Sequence, residues 1–177
     1  GGVDGPGVGR TTFSDQRGRC SGTDIARDTL RSCVAQAHAT GLLSDGHCSV
    51  DGNLSQAWAS NRSYQPKDGS DDAPGGGGRN QARDFHGETR SNDTHAPTTD
   101  PEAKLYRKSA GTTAKLCYMG HAVSENRHGL VVEVQVSEAN GTAERSSAIE
   151  MIEHIADEAP CTVAADKAYD TRGFVTQ

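Results

Sequence analysis

Two short runs in this chain end on an acid where an acid is costly. Val163-Ala164-Ala165 stops at Asp166 and continues as Lys167-Ala168-Tyr169-Asp170, while His47-Cys48-Ser49-Val50 stops at Asp51-Gly52. An ionised carboxylate closing an apolar strand resists leaving water unless a cation compensates it. If the two strands lie side by side and parallel, the carboxylates meet at one rim of a sheet, where hard oxygen ligands suit Mg²⁺ or Mn²⁺. Asp51 and Asp166 are therefore the candidate metal-binding pair. Asp170 is the competing ligand and ranks second, because Asp166 stands nearer the apolar run.

Other residues compete with these for a chemical role. Asp51-Gly52 would suit a phosphatase nucleophile only with an acid two residues away, and Ser49 and Asn53 occupy those places. The run Gly75 to Gly78 is followed by Arg79-Asn80, with no preceding strand and no Lys-Ser/Thr, so it reads as flexible linker rather than a phosphate loop. Asp93 and Asp100 read as turn or cap residues. Glu144, Glu150 and Glu153 read as solvated helix surface. Lys104, Arg107, Lys108, Arg127 and His128 are candidates for phosphate contact, set against ordinary solvation of surface cations.

The elements that would position the two acids follow from periodicity. A helix from Thr23 or Asp24 to Gly41 places Ala26, Leu30, Cys33 and Ala37 on one face. The strand of Asp51 follows, then Trp58, expected to pack in the core. Residues 60–113 are polar and glycine-rich and read as an insertion or linker. Leu116 to Val123 and Leu130 to Val136 form a hairpin whose second arm alternates Val132, Val134 and Val136 with Glu133 and Gln135, predicting one buried and one solvated face. A helix capped by Thr142 follows, with Ala148, Ile152, Ile155 and Ala156 inward, then the strand of Asp166 and a further helix from Thr171. Three strands, a crossover helix and a fourth strand parallel to the first describe an α/β, ribonuclease H-like mixed sheet with flanking helices, interrupted by a polar glycine-rich insertion.

Composition bounds the rest. Of 177 residues only 33% are hydrophobic and 5% aromatic, with 21 glycines, so the core is confined to about residues 24–58 and 114–175, and residues 1–22 are expected to be poorly ordered. The net charge of −6 opposes nonspecific attraction to nucleic acid, so any DNA contact requires local basic patches. Cys20, Cys33, Cys48, Cys117 and Cys161 form no C-x-x-C pair and read as reduced, mostly buried thiols. No run approaches a membrane span and no signal peptide is evident, so a soluble, cytoplasmic protein is expected.

The chain resembles the DDE transposases of bacterial insertion sequences, in the branch with a ribonuclease H-like catalytic domain. The resemblance is carried by Ser49-Val50-Asp51-Gly52, Ala57-Trp58-Ala59-Ser60, Ser91-Asn92-Asp93-Thr94-His95, Leu105-Tyr106-Arg107-Lys108, Lys115-Leu116-Cys117-Tyr118-Met119-Gly120-His121, Gly141-Thr142-Ala143-Glu144-Arg145 and Ala165-Asp166-Lys167, within residues 11–177. It implies metal-dependent DNA cleavage and strand transfer, with transposon ends and target DNA as partners and a homodimer as a possible assembly. By position Asp51 resembles the first acid and Asp166 the second. The third, a glutamate on a later helix, has no counterpart before Gln177, which predicts an internal fragment or truncated copy with impaired catalysis. The alternative expectation is a noncatalytic remnant that binds DNA or an intact transposase.

Overall fold

The structure, a computed structural model, describes residues 24–43, 46–69, 90–109, 111–155 and 161–176. The expectations for residues 1–22 and for the glycine run at 75–78 lie outside them. Helix α1 spans Ile25–Ala39, followed by β1 (His47–Gln56), a 3₁₀ turn (Asn61–Ser63), β2 (Tyr64–Pro66), β3 (His95–Pro97), β4 (Lys104–Tyr106), β5 (Lys115–Glu125) and β6 (Val131–Glu138). Helix α2 (Ala143–Ile155), β7 (Thr162–Ala164), a second 3₁₀ turn (Lys167–Tyr169) and α3 (Arg172–Val175) complete the chain.

Five strands form one mixed sheet. β5 is central: it pairs antiparallel with β1 on one side and with β4 and then β6 on the other, and β1 pairs parallel with β7. Read across, β6-β5-β1-β7 is three antiparallel strands in chain order and a fourth returned through α2 to lie parallel beside the first. This is the ribonuclease H-like arrangement, and the two acid-terminated runs are its parallel neighbours. α2 lies on one face, where Ala148 and Met151 meet Cys48, Val50 and Val123. Beyond the N-terminus of α2 a second cluster joins Cys117 and Met119 to Ala139 and Ala143, and β2 and β3 form a separate two-stranded sheet beside Ala57, Tyr64, Ala103 and Leu116.

Several local expectations differ from the fold. α1 buries no residue: Ala26 and Cys33 are exposed, and the half-buried positions are Leu30, Val34 and Ala37, so its apolar face is one short row rather than the four-residue stripe. Trp58 is 96% exposed instead of packed. In β6 the phase is inverted. The register shifts between Val123 and Ser124, so Glu133 and Gln135 pair with Val123 and His121 while Val134 and Val136 fall on the open face, 50% and 70% exposed. Thr142 holds the N-cap position of α2, its carbonyl accepting the Arg145 and Ser146 N–H groups at 3.1 Å, and the side-chain acceptor is Asn140, whose Oδ1 takes the N–H groups of Thr142 and Ala143 at 2.9 and 2.8 Å. The inward positions of α2 are Ala143, Ser147, Ala148 and Met151, with Ile152 and Ile155 half-buried. Cys48 and Cys117 are buried thiols, but Cys161 is half-buried and Cys33 exposed.

Candidate active site

The site is built on β1. Burial alternates along it: Cys48, Val50 and Gly52 are buried while Asp51 and Asn53 are exposed. The apolar side chains hold the strand against α2, which leaves Asp51 in water. Its Oδ1 accepts the Gly52 N–H at 2.8 Å, a local bond that orients the carboxylate. Gly52 is required by its neighbour, for a Cβ built there would lie 2.8 Å from Cγ of Glu144 on the first turn of α2. That glutamate, read from sequence as solvated surface, has a side chain only 23% exposed and lies 3.8 Å from Lys108 Nζ. The same ammonium donates to the Gly52 carbonyl at 3.2 Å.

The second acid is placed by β7. The parallel register joins His47 to Thr162, Cys48 to Val163 and Ser49 to Ala164. Two residues beyond the last pair stand Asp51 on one strand and Asp166 on the other. β7 is an edge strand with only Val163 half-buried, so the run before Asp166 is not the buried strand that its composition suggested. Asp166 is exposed and opens the 3₁₀ turn in which Tyr169 N–H donates to the Asp166 carbonyl at 2.9 Å. Tyr169 folds back into the core beside Cys48 and Val50. Burial raises its hydroxyl to about 12, and the carboxylates of Glu144, Asp51 and Asp166 push the same way against the opposing charge of Arg145. One phenol thus feels three acids from three separate elements. Asp170, also exposed, lines with Asp166 an open cleft of ≈ 240 Å³.

The remaining sequence candidates divide clearly. Asp93 sits exposed in the turn before β3, and Asp100 accepts the Tyr118 hydroxyl, whose pKa burial and that carboxylate raise to about 12. Lys104 pairs with Glu138 at 3.2 Å. Arg127 and His128 occupy the β5–β6 turn beside the start of β1, where Asn126 N–H donates to the His47 carbonyl, so they lie at the far end of that strand from Gln56. Arg107 and Lys108 follow β4 on the side of Gly52. Sequence reasoning missed Glu144 and the bridging role of Lys108. The available signal was Gly52, since a glycine directly after a strand acid leaves room that another element fills.

Among the described residues no group of three or more His, Cys, Asp or Glu is gathered closely enough to hold a metal ion. Asp51 and Asp166 are exposed carboxylates on neighbouring strands, and Mg²⁺ commonly takes one or two protein carboxylates and completes its shell with water and phosphate oxygens. None of the described helices is long and apolar enough to cross a membrane.

Comparison with known proteins gives one finding. Residues 92–177 match the family model described as Transposase DDE domain. The match runs from just before β3 through α3 and contains Asp166, Glu144 and Lys108, while Asp51 on β1 precedes it. No curated protein and no solved structure matches the chain.

Proposed function

We propose that this chain, whose residues 92–177 match the family model described as Transposase DDE domain, belongs to a catalytic domain for metal-dependent cleavage and strand transfer of DNA, with Asp51 and Asp166 as two of its metal-binding acids. The observation that carries the reading is the parallel pairing of β1 with β7, whose last register pair, Ser49 with Ala164, stands two residues before each of those positions. Bound Mg²⁺ or Mn²⁺ would supply Lewis-acid stabilisation and an activated water or 3′-hydroxyl for in-line attack on a phosphodiester. The chain's own residues do the positioning. Gly52 N–H holds one oxygen of Asp51, leaving the other free for a ligand. The turn after Asp166 is anchored by buried Tyr169, so the second carboxylate has a fixed base although its head is in water.

The test is a Mn²⁺ titration followed by the loss of free-ion electron paramagnetic resonance signal, on the wild type, Asp51→Ala and Asp166→Ala. Each substitution is expected to weaken binding at least about tenfold, the loss of one carboxylate from a two-carboxylate site. Equal affinity in all three proteins overturns the assignment. Asp170→Ala is expected to bind as the wild type does, and a loss there in place of Asp166→Ala would move the second ligand to Asp170.

A further inference from the structure

The two acids lie past the last rung that joins their strands, since the β1–β7 ladder ends at Ser49 with Ala164. Their spacing therefore depends on what holds each one from outside the ladder. The turn after Asp166 closes on itself, with Tyr169 N–H donating to the Asp166 carbonyl at 2.9 Å and Asp170 N–H to the Lys167 carbonyl at 3.0 Å. A side chain from another element also reaches it. Arg145, in the first turn of α2, donates from Nη1 to the Ala168 carbonyl at 3.3 Å and from Nη2 to the Gly141 carbonyl at 3.1 Å. One planar guanidinium thus joins the loop before α2 to the turn after Asp166. Its predecessor serves the other acid: Glu144 lies over Gly52, beside Asp51, and pairs with Lys108, which donates to the Gly52 carbonyl. Successive side chains on a helix diverge by about 100°, which lets these neighbours address β1 and the β7 turn at once. Ala143, Ser147, Ala148 and Met151 anchor the helix in the core, so both residues leave a fixed base.

We propose that Arg145 is a positioning residue of the candidate active site, fastening the turn of Asp166 to the same helical turn whose Glu144 packs over Gly52, so that two adjacent residues of α2 set the spacing of the two acids. This rests on the reading of Asp51 and Asp166 as a metal-binding pair. Charge and position make opposite demands of Arg145. Its charge opposes those of the acids at the Tyr169 hydroxyl, so it is felt at the site, and by charge alone its removal would relieve repulsion of a bound cation and tighten binding. As a tether, its removal loosens one ligand and weakens binding, by about tenfold for a residue that orients a ligand from behind. The sign of the change separates the two roles.

The experiment uses the full chain and reads Mn²⁺ affinity from the free-ion electron paramagnetic resonance signal for the wild type, Arg145→Met and Arg172→Met, the last removing an exposed cation shortly after the same turn. Arg145→Met should bind about tenfold more weakly, and Arg172→Met within about twofold of the wild type. In an Asp166→Ala background the Arg145→Met loss should shrink to within about twofold, because the ligand it orients is gone, and in an Asp51→Ala background most of it should remain. Unchanged or tighter binding by Arg145→Met, an equal loss in Arg172→Met, or a full loss in the Asp166→Ala background each overturns the proposal. A second readout needs no metal: amide hydrogen exchange of residues 166–171 should quicken in Arg145→Met while that of β5 stays as in the wild type. Exchange unchanged at 166–171, or quickened equally in both segments, overturns it as well. If Arg145→Met fails to fold by far-UV circular dichroism, Arg145→Lys takes its place. A single ammonium lacks the fork that spans two carbonyls, so this variant should bind Mn²⁺ at least about threefold more weakly than the wild type, and wild-type affinity overturns the tether. Equal Mn²⁺ affinity in the wild type, Asp51→Ala and Asp166→Ala is failure of the acid assignment instead, and the tether is then decided by exchange alone.

Discussion

Glu125 closes β5 with its side chain 4% exposed and accepts backbone N–H groups from Arg127, His128 and Leu130 across the hairpin turn. One buried carboxylate thereby satisfies three amides of the turn, so its removal leaves three partly buried donors without that partner at once. Glu125→Ala should cost about 2–3 kcal/mol, measured as the shift in urea unfolding free energy. A cost near zero would show that water enters the turn. His121 is the other buried polar residue with a definite consequence. It is 3% exposed, its Nε2 lies 2.8 Å from Ser137 Oγ, its Nδ1 has no hydrogen-bond partner, and burial holds its pKa below the ordinary 6.5. The unfolded chain therefore takes up this proton first as pH falls, and proton uptake favours unfolding. Stability from this group is present above pH 6.5 and is lost as pH drops from there through the lower folded value. His121→Gln should lose less stability than the wild type between pH 7.5 and 5.5, and parallel losses would remove His121 as the cause.

α2 approaches β1 closely at Gly52. Gly52→Ala would force its new methyl against Glu144 Cγ at 2.8 Å, a contact that neither a strand backbone nor a first-turn side chain absorbs without movement. The substitution should cost about 1–3 kcal/mol alone and distinctly less in a Glu144→Ala background, a coupling above about 0.5 kcal/mol in a double-mutant cycle. Additive costs would mean that the two elements yield independently. The contact also marks the limit of what the sequence made legible. Hairpin β5–β6 and helix α2 were readable because their signals are local: alternation, a turn and an apolar face. The pairing of β1 with β7 was readable because both runs end in an acid. The phase of β6 was not, since a single extra residue at the bulge turns Val134 and Val136 outward without changing the alternation. Trp58 was misplaced because its size argues for burial while β1 has already ended at Gln56. Glu144 and the Lys108 bridge depend on how a helix sits over a strand far away in the chain, which no local period encodes.

At the scale of the molecule, the candidate site straddles a short join of the sheet. β1 and β5 share nine register pairs, whereas β1 and β7 share three, and β7 is an exposed edge strand. Loop closure between residues so distant in sequence is entropically costly, and few contacts offset it here. An ion held by Asp51 and Asp166 would bridge this seam from both sides, so metal binding and global stability are linked. At a free Mn²⁺ concentration 100 times the dissociation constant, one site that is absent from the unfolded chain adds about 2.7 kcal/mol. The wild type should show an unfolding midpoint that rises with Mn²⁺ in thermal or urea melts, and Asp51→Ala and Asp166→Ala should each lose most of that rise. A wild-type midpoint indifferent to Mn²⁺ would mean that the two acids do not share an ion, however close their strands bring them.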